Sequence, residues 1–191
     1  SSLAHVFLVA HERHLQRLIG MGVPRWRIHV TGAPGLDRFL LPVIPREQVA
    51  EALDLDPTRR WALVMLHPTT FNPQEVDQEL AEAREAVGDR QAMWLTPGND
   101  PGGDWLRDQM IDPMTEIPLD LYPSLLRHVD ILIGNSSALI VDAPFVGVKT
   151  VEIGRRQEGR DRVPYGDGQS IPRIVNIVRG LEFTHLLCEA S

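Results

Sequence analysis

The chain has 191 residues, 43% hydrophobic and 24% charged, which excludes disorder as its main state and suits one ordinary domain with attached segments. A chain of this length buries roughly 70% of its unfolded surface, enough for a core without disulfide or metal staples. The net charge of −7 argues against a nucleic-acid binder, because that affinity comes chiefly from surplus Lys and Arg on phosphates.

From the N-terminus, Ser1-Ser2-Leu3-Ala4-His5 lacks the basic flank and apolar length of a signal peptide. With no initiator Met, the chain reads as a fragment or a processed product. Val6–Val9 predicts a strand, and His11–Ile19 a helix closed by Gly20 and Gly22. Arg27–Val30 predicts a second strand. Residues 31–58, crowded with Gly and Pro at their start, read as a linker ending in a helix over Pro45–Leu53.

Trp61–Leu66 is a continuous apolar run, the mark of a strand covered on both faces. Asn72 is a candidate cap for a helix over Pro73–Val87. Strands at Ala92–Leu95, Ile131–Ile133 and Thr150–Ile153 alternate with helices near Asp104–Met110, Leu119–His128 and Ser137–Phe145. A short extended piece lies around Thr115–Ile117, and Ile171–Gly180 predicts a helix within the closing segment 169–191. That alternation is the pattern of a parallel α/β sheet, with the main domain at 59–168. No apolar run approaches the ~20 residues of a membrane span. Cys188 is the only cysteine, so no intrachain disulfide and no thiolate metal cluster are expected, and a reducing, cytoplasmic setting fits.

Ligands of open parallel sheets sit beyond the carboxyl ends of the strands. Three polar stretches stand there: His67-Pro68-Thr69-Thr70, Gly134-Asn135-Ser136-Ser137 and Gly154-Arg155-Arg156-Gln157. The second joins a strand to a predicted helix, whose first N–H groups and dipole attract anions; Ser136 and Ser137 are also ordinary helix caps. Asp142, in an otherwise apolar stretch, suits a ribose diol, a solvated face or a salt bridge. His67 suits a phosphate contact or proton exchange near neutral pH. Arg155, Arg156, Arg160 and Arg162 supply four forks matched to phosphate, interspersed with acids. His11 and His14 lie three apart with no third ligand beside them, so a metal site is not expected. G-x-G-x-x-G, Walker A and G-x-S-x-G sequences are absent.

Taken in order, Gly134-Asn135-Ser136-Ser137, then Asp142-Ala143-Pro144-Phe145-Val146-Gly147-Val148-Lys149-Thr150, then Ile153-Gly154-Arg155-Arg156-Gln157-Glu158-Gly159-Arg160 resemble the UDP-N-acetylglucosamine 2-epimerase family, particularly its hydrolysing branch. Gly32-Ala33-Pro34-Gly35-Leu36-Asp37, His67-Pro68 and the Gly-rich loop around Asn99 and Pro101 match in the same order. The resemblance implies a GT-B arrangement of two Rossmann-like domains, with this chain the C-terminal, UDP-binding half and residues 1–30 the tail of the N-terminal Rossmann-like domain. It implies that His67 contacts the diphosphate, Ser136 and Ser137 hold phosphate oxygens, Asp142 takes the ribose hydroxyls, and Arg156, Arg160 and Asn99 add contacts to the substrate. Asp142 stands where the family usually has Glu, Leu139 where it has Gly, and Arg155 where Asp is common.

The activity so implied is elimination of UDP from UDP-N-acetylglucosamine to an unsaturated sugar, then addition of water or UDP with inversion at C2. No metal or other cofactor is implied, and no nucleic acid or membrane; the partners are UDP or UDP-N-acetylglucosamine, a missing N-terminal domain carrying the proton-shuttling carboxylates, and a second subunit in a full-length homodimer. A GT-B glycosyltransferase and a non-catalytic UDP-sugar-binding module remain the alternatives.

Overall fold

A computed structural model describes residues 4–68, 73–97, 102–110 and 112–181. In chain order they form β1 (Phe7–Val9), α1 (Glu12–Gly20), β2 (Ile28–Val30), α2 (Arg46–Ala52), β3 (Trp61–Met65), α3 (Pro73–Val87) and β4 (Gln91–Leu95). There follow α4 (Gly103–Asp108), β5 (Pro113–Met114), α5 (Tyr122–His128), β6 (Ile131–Gly134), α6 (Asp142–Val146), β7 (Lys149–Glu152) and α7 (Ser170–Arg179). The chain divides into two compact units, one of residues up to Leu40 with those from Val163 onward, the other of Leu41–Arg162.

The larger unit is built on five parallel strands in the order β5-β4-β3-β6-β7. Trp61, Ala62, Leu63 and Val64 of the central strand are fully buried, as a continuous apolar run covered on both faces requires. On one face Ala62, Val64 and Ile133 pack with Val76, Leu80 and Ala83 of α3 in a single apolar cluster. Gly134 ends β6 opposite Met65 at φ +137°, and a Cβ there would overlap the Met65 carbonyl. Only glycine lets the two strands end side by side.

At the amino ends of the strands, Arg46 stacks its guanidinium 3.6 Å from the centroid of the Trp61 ring. The same fork donates to the carbonyls of Pro57 (3.0 Å), His128 (2.7 Å) and Arg59 (2.6 Å). One side chain thereby ties two loop carbonyls and the last carbonyl of α5 around the Trp61 ring.

In the smaller unit β1 and β2 pair in parallel, Phe7 against Ile28 through Val9 against Val30. His11 caps α1, its Nδ1 accepting from the Arg13 amide at 3.1 Å, which gives this His a structural task. Within the Gly- and Pro-rich stretch, Pro34–Leu40 form a 3-10 helix whose Leu36 and Phe39 are buried. Asp37 of that turn accepts from the amides of Ser170 (2.9 Å) and Ile171 (2.6 Å), so a carboxylate from far along the sequence satisfies the first N–H groups of α7.

One expected element breaks. Residues 137–145 do not form a single helix; Ser137–Leu139 make a 3-10 turn and α6 begins afresh at Asp142. Pro144 is the cause: it has no N–H to donate to residue 140, and its ring clashes with that carbonyl in a continuous helix. Restarting at Asp142 puts Pro144 in the first turn, where an N–H has no intrahelical partner to lose.

Candidate functional site

The chain leaves β3 towards β4 on one side of the sheet and β6 towards β7 on the other, so the strand order reverses between β3 and β6. Crevices at such reversals, outside the carboxyl ends of the strands, are where open α/β sheets bind ligands. His67 lies two residues past β3 and Asn135 directly past β6. The Asn135 side chain spans that gap. Its Oδ1 accepts from the His67 amide at 2.8 Å and its Nδ2 donates to the His67 carbonyl at 2.8 Å. A primary amide carries the same donor and acceptor as a peptide, so it extends the β3–β6 ladder by one step beyond the strands. Asn135 is fully buried, and its own carbonyl accepts from Gln157 Nε2 at 2.6 Å and Arg156 Nη1 at 3.3 Å. Three loops thus meet on one residue.

The serines divide. Ser136 is buried and its Oγ accepts from the Ala138 amide at 3.3 Å, the ordinary work of a cap. Ser137 is exposed. Because the segment after Ser137 is a single 3-10 turn, the anion attraction expected from a full helix dipole is corrected to that of a short turn with a surface hydroxyl.

Asp142 is not a solvated surface acid. It is 8% exposed, and the hydroxyl of Tyr122, itself 7% exposed, donates to its Oδ2 at 2.9 Å. Both residues open short helices that pack together, α5 and α6.

Beyond β7 the four arginines have different partners. Arg155 forks onto Glu158 at 2.7 and 2.9 Å, and the Glu158 carboxyl is held below its ordinary value chiefly by that hydrogen bond. Arg162 pairs with Glu152. Arg156 and Arg160 donate instead to neutral oxygens, the Asn135 carbonyl and Gln157 Oε1 (3.3 Å each). Both of these forks are exposed. A cavity of about 630 Å³ opens beside Arg156, between α3 and the loop Gly154–Glu158. On its wall Glu79 lies over Gly154, whose φ of +64° and lack of Cβ admit the carboxylate. Burial, followed by the nearby Glu82 and Glu75, pushes the Glu79 carboxyl above the ordinary glutamate value. Asn99, Thr69, Thr70 and the expected cap Asn72 lie outside the described residues.

The sequence profile of the UDP-N-acetylglucosamine 2-epimerase family matches residues 1–163. The chain belongs to that family. A UDP-N-acetylglucosamine 2-epimerase of Neisseria meningitidis is 31% identical over 170 residues, covering 84% of this chain and 45% of the relative. A hydrolysing UDP-N,N′-diacetylbacillosamine 2-epimerase of Legionella pneumophila is 33% identical over 177 residues, covering 85% and 46%. The chain therefore spans just under half the length of these curated relatives.

Among solved structures, a Neisseria meningitidis UDP-GlcNAc 2-epimerase bound to UDP-GlcNAc matches with a TM-score of 0.67 at 12% identity, over 94% of this chain and 62% of that one. A Methanocaldococcus jannaschii UDP-GlcNAc 2-epimerase in complex with UDP-GlcNAc and UDP also gives 0.67, at 14% identity over 92% and 61%. At such identities the likeness is one of fold, and it is the α/β fold with a Rossmann-like parallel sheet of the GT-B type expected from the sequence.

His67, Ser136, Ser137, Arg156 and Arg160 come together around the β3–β6 reversal through Asn135 and Gln157. Sequence reasoning missed the holding residues: Asn135, Gln157, Glu79 and Tyr122. Asn135 and Gln157 stand inside the motifs beyond β6 and β7, but nothing local marks them as buried; Tyr122 and Glu79 carry no local signal. Among the described residues no helix is long and apolar enough to cross a membrane.

Proposed function

We propose that this chain is the UDP-binding half of a UDP-N-acetylglucosamine 2-epimerase, which converts UDP-N-acetylglucosamine to N-acetylmannosamine and UDP, or to UDP-N-acetylmannosamine. The observation that carries it is the Asn135 bridge, which fixes His67 against the Gly134–Ser137 turn at the sheet's reversal point. In this account the Ser137 hydroxyl and the Ser136–Ser137 turn receive the diphosphate, with Arg156 and Arg160 as its counter-charges. Asp142 accepts from the ribose hydroxyls, and Asn99 contributes from its Gly-rich loop.

Elimination takes the C2 proton to a base, forms the C1–C2 double bond and breaks the C1–O bond, so the electron pair leaves with the diphosphate. His67 stabilises that departing charge as a hydrogen-bond donor, and the arginine forks hold it in place. The C2 proton needs a positioned carboxylate, and we place it on a further Rossmann-like domain, to which the smaller unit contributes its β1–β2 pair. The complete enzyme is a cytoplasmic homodimer on this account.

The test is UDP release from UDP-N-acetylglucosamine, with UDP-N,N′-diacetylbacillosamine as the second sugar. The 191 residues alone are expected to bind UDP and release none from either sugar. Joined to the remaining length of a relative, they are expected to turn over, and His67→Ala to remove most of that activity. Transfer of the sugar to an acceptor would instead identify a glycosyltransferase.

A further inference from the structure

Gln157, in the loop after β7, is buried between exposed neighbours, and both ends of its side-chain amide are engaged. Its Nε2 donates to the Asn135 carbonyl at 2.6 Å, and its Oε1 accepts from Arg160 Nη1 at 3.3 Å. The backbone repeats the second link. Gly159 takes φ +74°, and the turn it makes brings the Arg160 amide to the Gln157 carbonyl at 3.3 Å. Asn135 in turn grips the His67 amide and carbonyl at 2.8 Å each. A chain of hydrogen bonds so runs from the loop after β3, through the turn after β6, to a guanidinium after β7. The residue type suits the task, because a primary amide offers a donor and an acceptor without net charge. A carboxylate would present no donor to the Asn135 carbonyl, and would set a negative charge on the cation, as Glu158 does on Arg155. Arginine has much rotamer freedom, and freezing it at the moment of binding weakens affinity.

We infer that Gln157 is a positioning residue for the diphosphate: it holds the Arg160 fork at a set place relative to the His67–Asn135 clasp. Cation and imidazole then meet one ligand from two loops. This rests on the proposed diphosphate contact of Arg160. Gln157 itself touches no ligand; it acts through the guanidinium it orients. Its contribution is preorganisation of a cation, so it bears on ligands that carry phosphate and leaves the nucleoside alone.

The test is calorimetric titration of the 191-residue chain with UDP and with uridine, the latter read by its displacement of UDP. Arg160→Met is expected to weaken UDP about tenfold, the scale of one hydrogen bond to a charged group, and to leave uridine within about twofold. Gln157→Met is expected to weaken UDP about fivefold, the scale of ordering one long side chain, again with uridine within about twofold. The double variant is expected to lose no more than Arg160→Met alone, because Gln157 acts through Arg160. Should Gln157→Met fold poorly, Gln157→Asn keeps the amide one methylene too short to span both partners, and is expected to lower the UDP-to-uridine ratio as well. A merely structural Gln157 would lower Tm and weaken both ligands equally. That result, or a double variant whose loss is the product of the two single losses, overturns the proposal. If Arg160→Met lowers the ratio and the Gln157 variants leave it unchanged, the Gln157 role fails and the Arg160 contact stands. If Arg160→Met leaves the ratio unchanged, or UDP does not bind, both fall.

Discussion

Asn135 and His67 form a two-bond clasp, amide to backbone at 2.8 Å in both directions, although they stand 68 residues apart in the chain. The clasp does for two loops what a ladder does for two strands. It fixes where the His67 backbone lies relative to the turn that follows β6, and backbone position decides whether an imidazole and a hydroxyl face the same ligand.

Asn135→Ala removes both bonds and leaves the His67 N–H and C=O seeking partners. Stability is expected to fall by about 2 kcal/mol, the cost of orphaning buried polar groups. UDP binding is expected to weaken with it, because the two loops are no longer held together. Urea unfolding and calorimetry check the two effects; a variant with unchanged UDP affinity contradicts the coupling of the loops.

Glu79 gives the cavity wall a pH dependence. Its carboxyl titrates above the ordinary value of 4.5 because burial, then Glu82 and Glu75, disfavour its charge. Between the ordinary and the raised value, the native state binds more protons than the unfolded chain, so stability falls as pH rises through that window. Above the window the charged Glu79 is a standing cost. Glu79→Gln is therefore expected to raise Tm at neutral pH, with the advantage shrinking as the solution approaches the ordinary glutamate range. The same advantage at both pH values would show that the charge is not the cause.

Arg46 is expected to be worth more than a surface cation. Arg46→Met keeps the apolar stem but loses three carbonyl bonds and the stacking on Trp61, an expected loss of about 2 kcal/mol. Arg46→Lys recovers only part, since a point charge cannot make the planar fork. Urea midpoints with an unchanged slope are the measure. A loss below about 0.5 kcal/mol in Arg46→Met would place this residue among ordinary surface cations.

The sheet was legible because its strands are apolar runs bounded by turn residues: Trp61–Met65 and Ile131–Gly134 announce burial on both faces. The helix over 137–145 was misjudged for a physical reason. Apolar spacing after Ser137 suits a continuous helix, and Pro144 vetoes it through a missing donor seven residues on. The loops that carry chemistry were legible as motifs, but their fastening was not. Nothing local in Tyr122 announces a hydroxyl aimed at Asp142, 20 residues away, and nothing in Asn135 names His67 as its partner. Such bonds are products of the β3–β6 reversal, and they exist only once the sheet is assembled.

A titration of the 191-residue chain with UDP and with ADP, followed by calorimetry in one buffer, tests most directly whether the crevice at that reversal is a uridine-nucleotide site. No adenine-type G-x-G-x-x-G turn occurs in the sequence, and the family profile matches residues 1–163, which include the loops beyond β3, β6 and β7. UDP is expected to bind at least tenfold more tightly than ADP, a difference of about 1.4 kcal/mol. ADP binding as tight as UDP, or no heat from UDP at all, would contradict it.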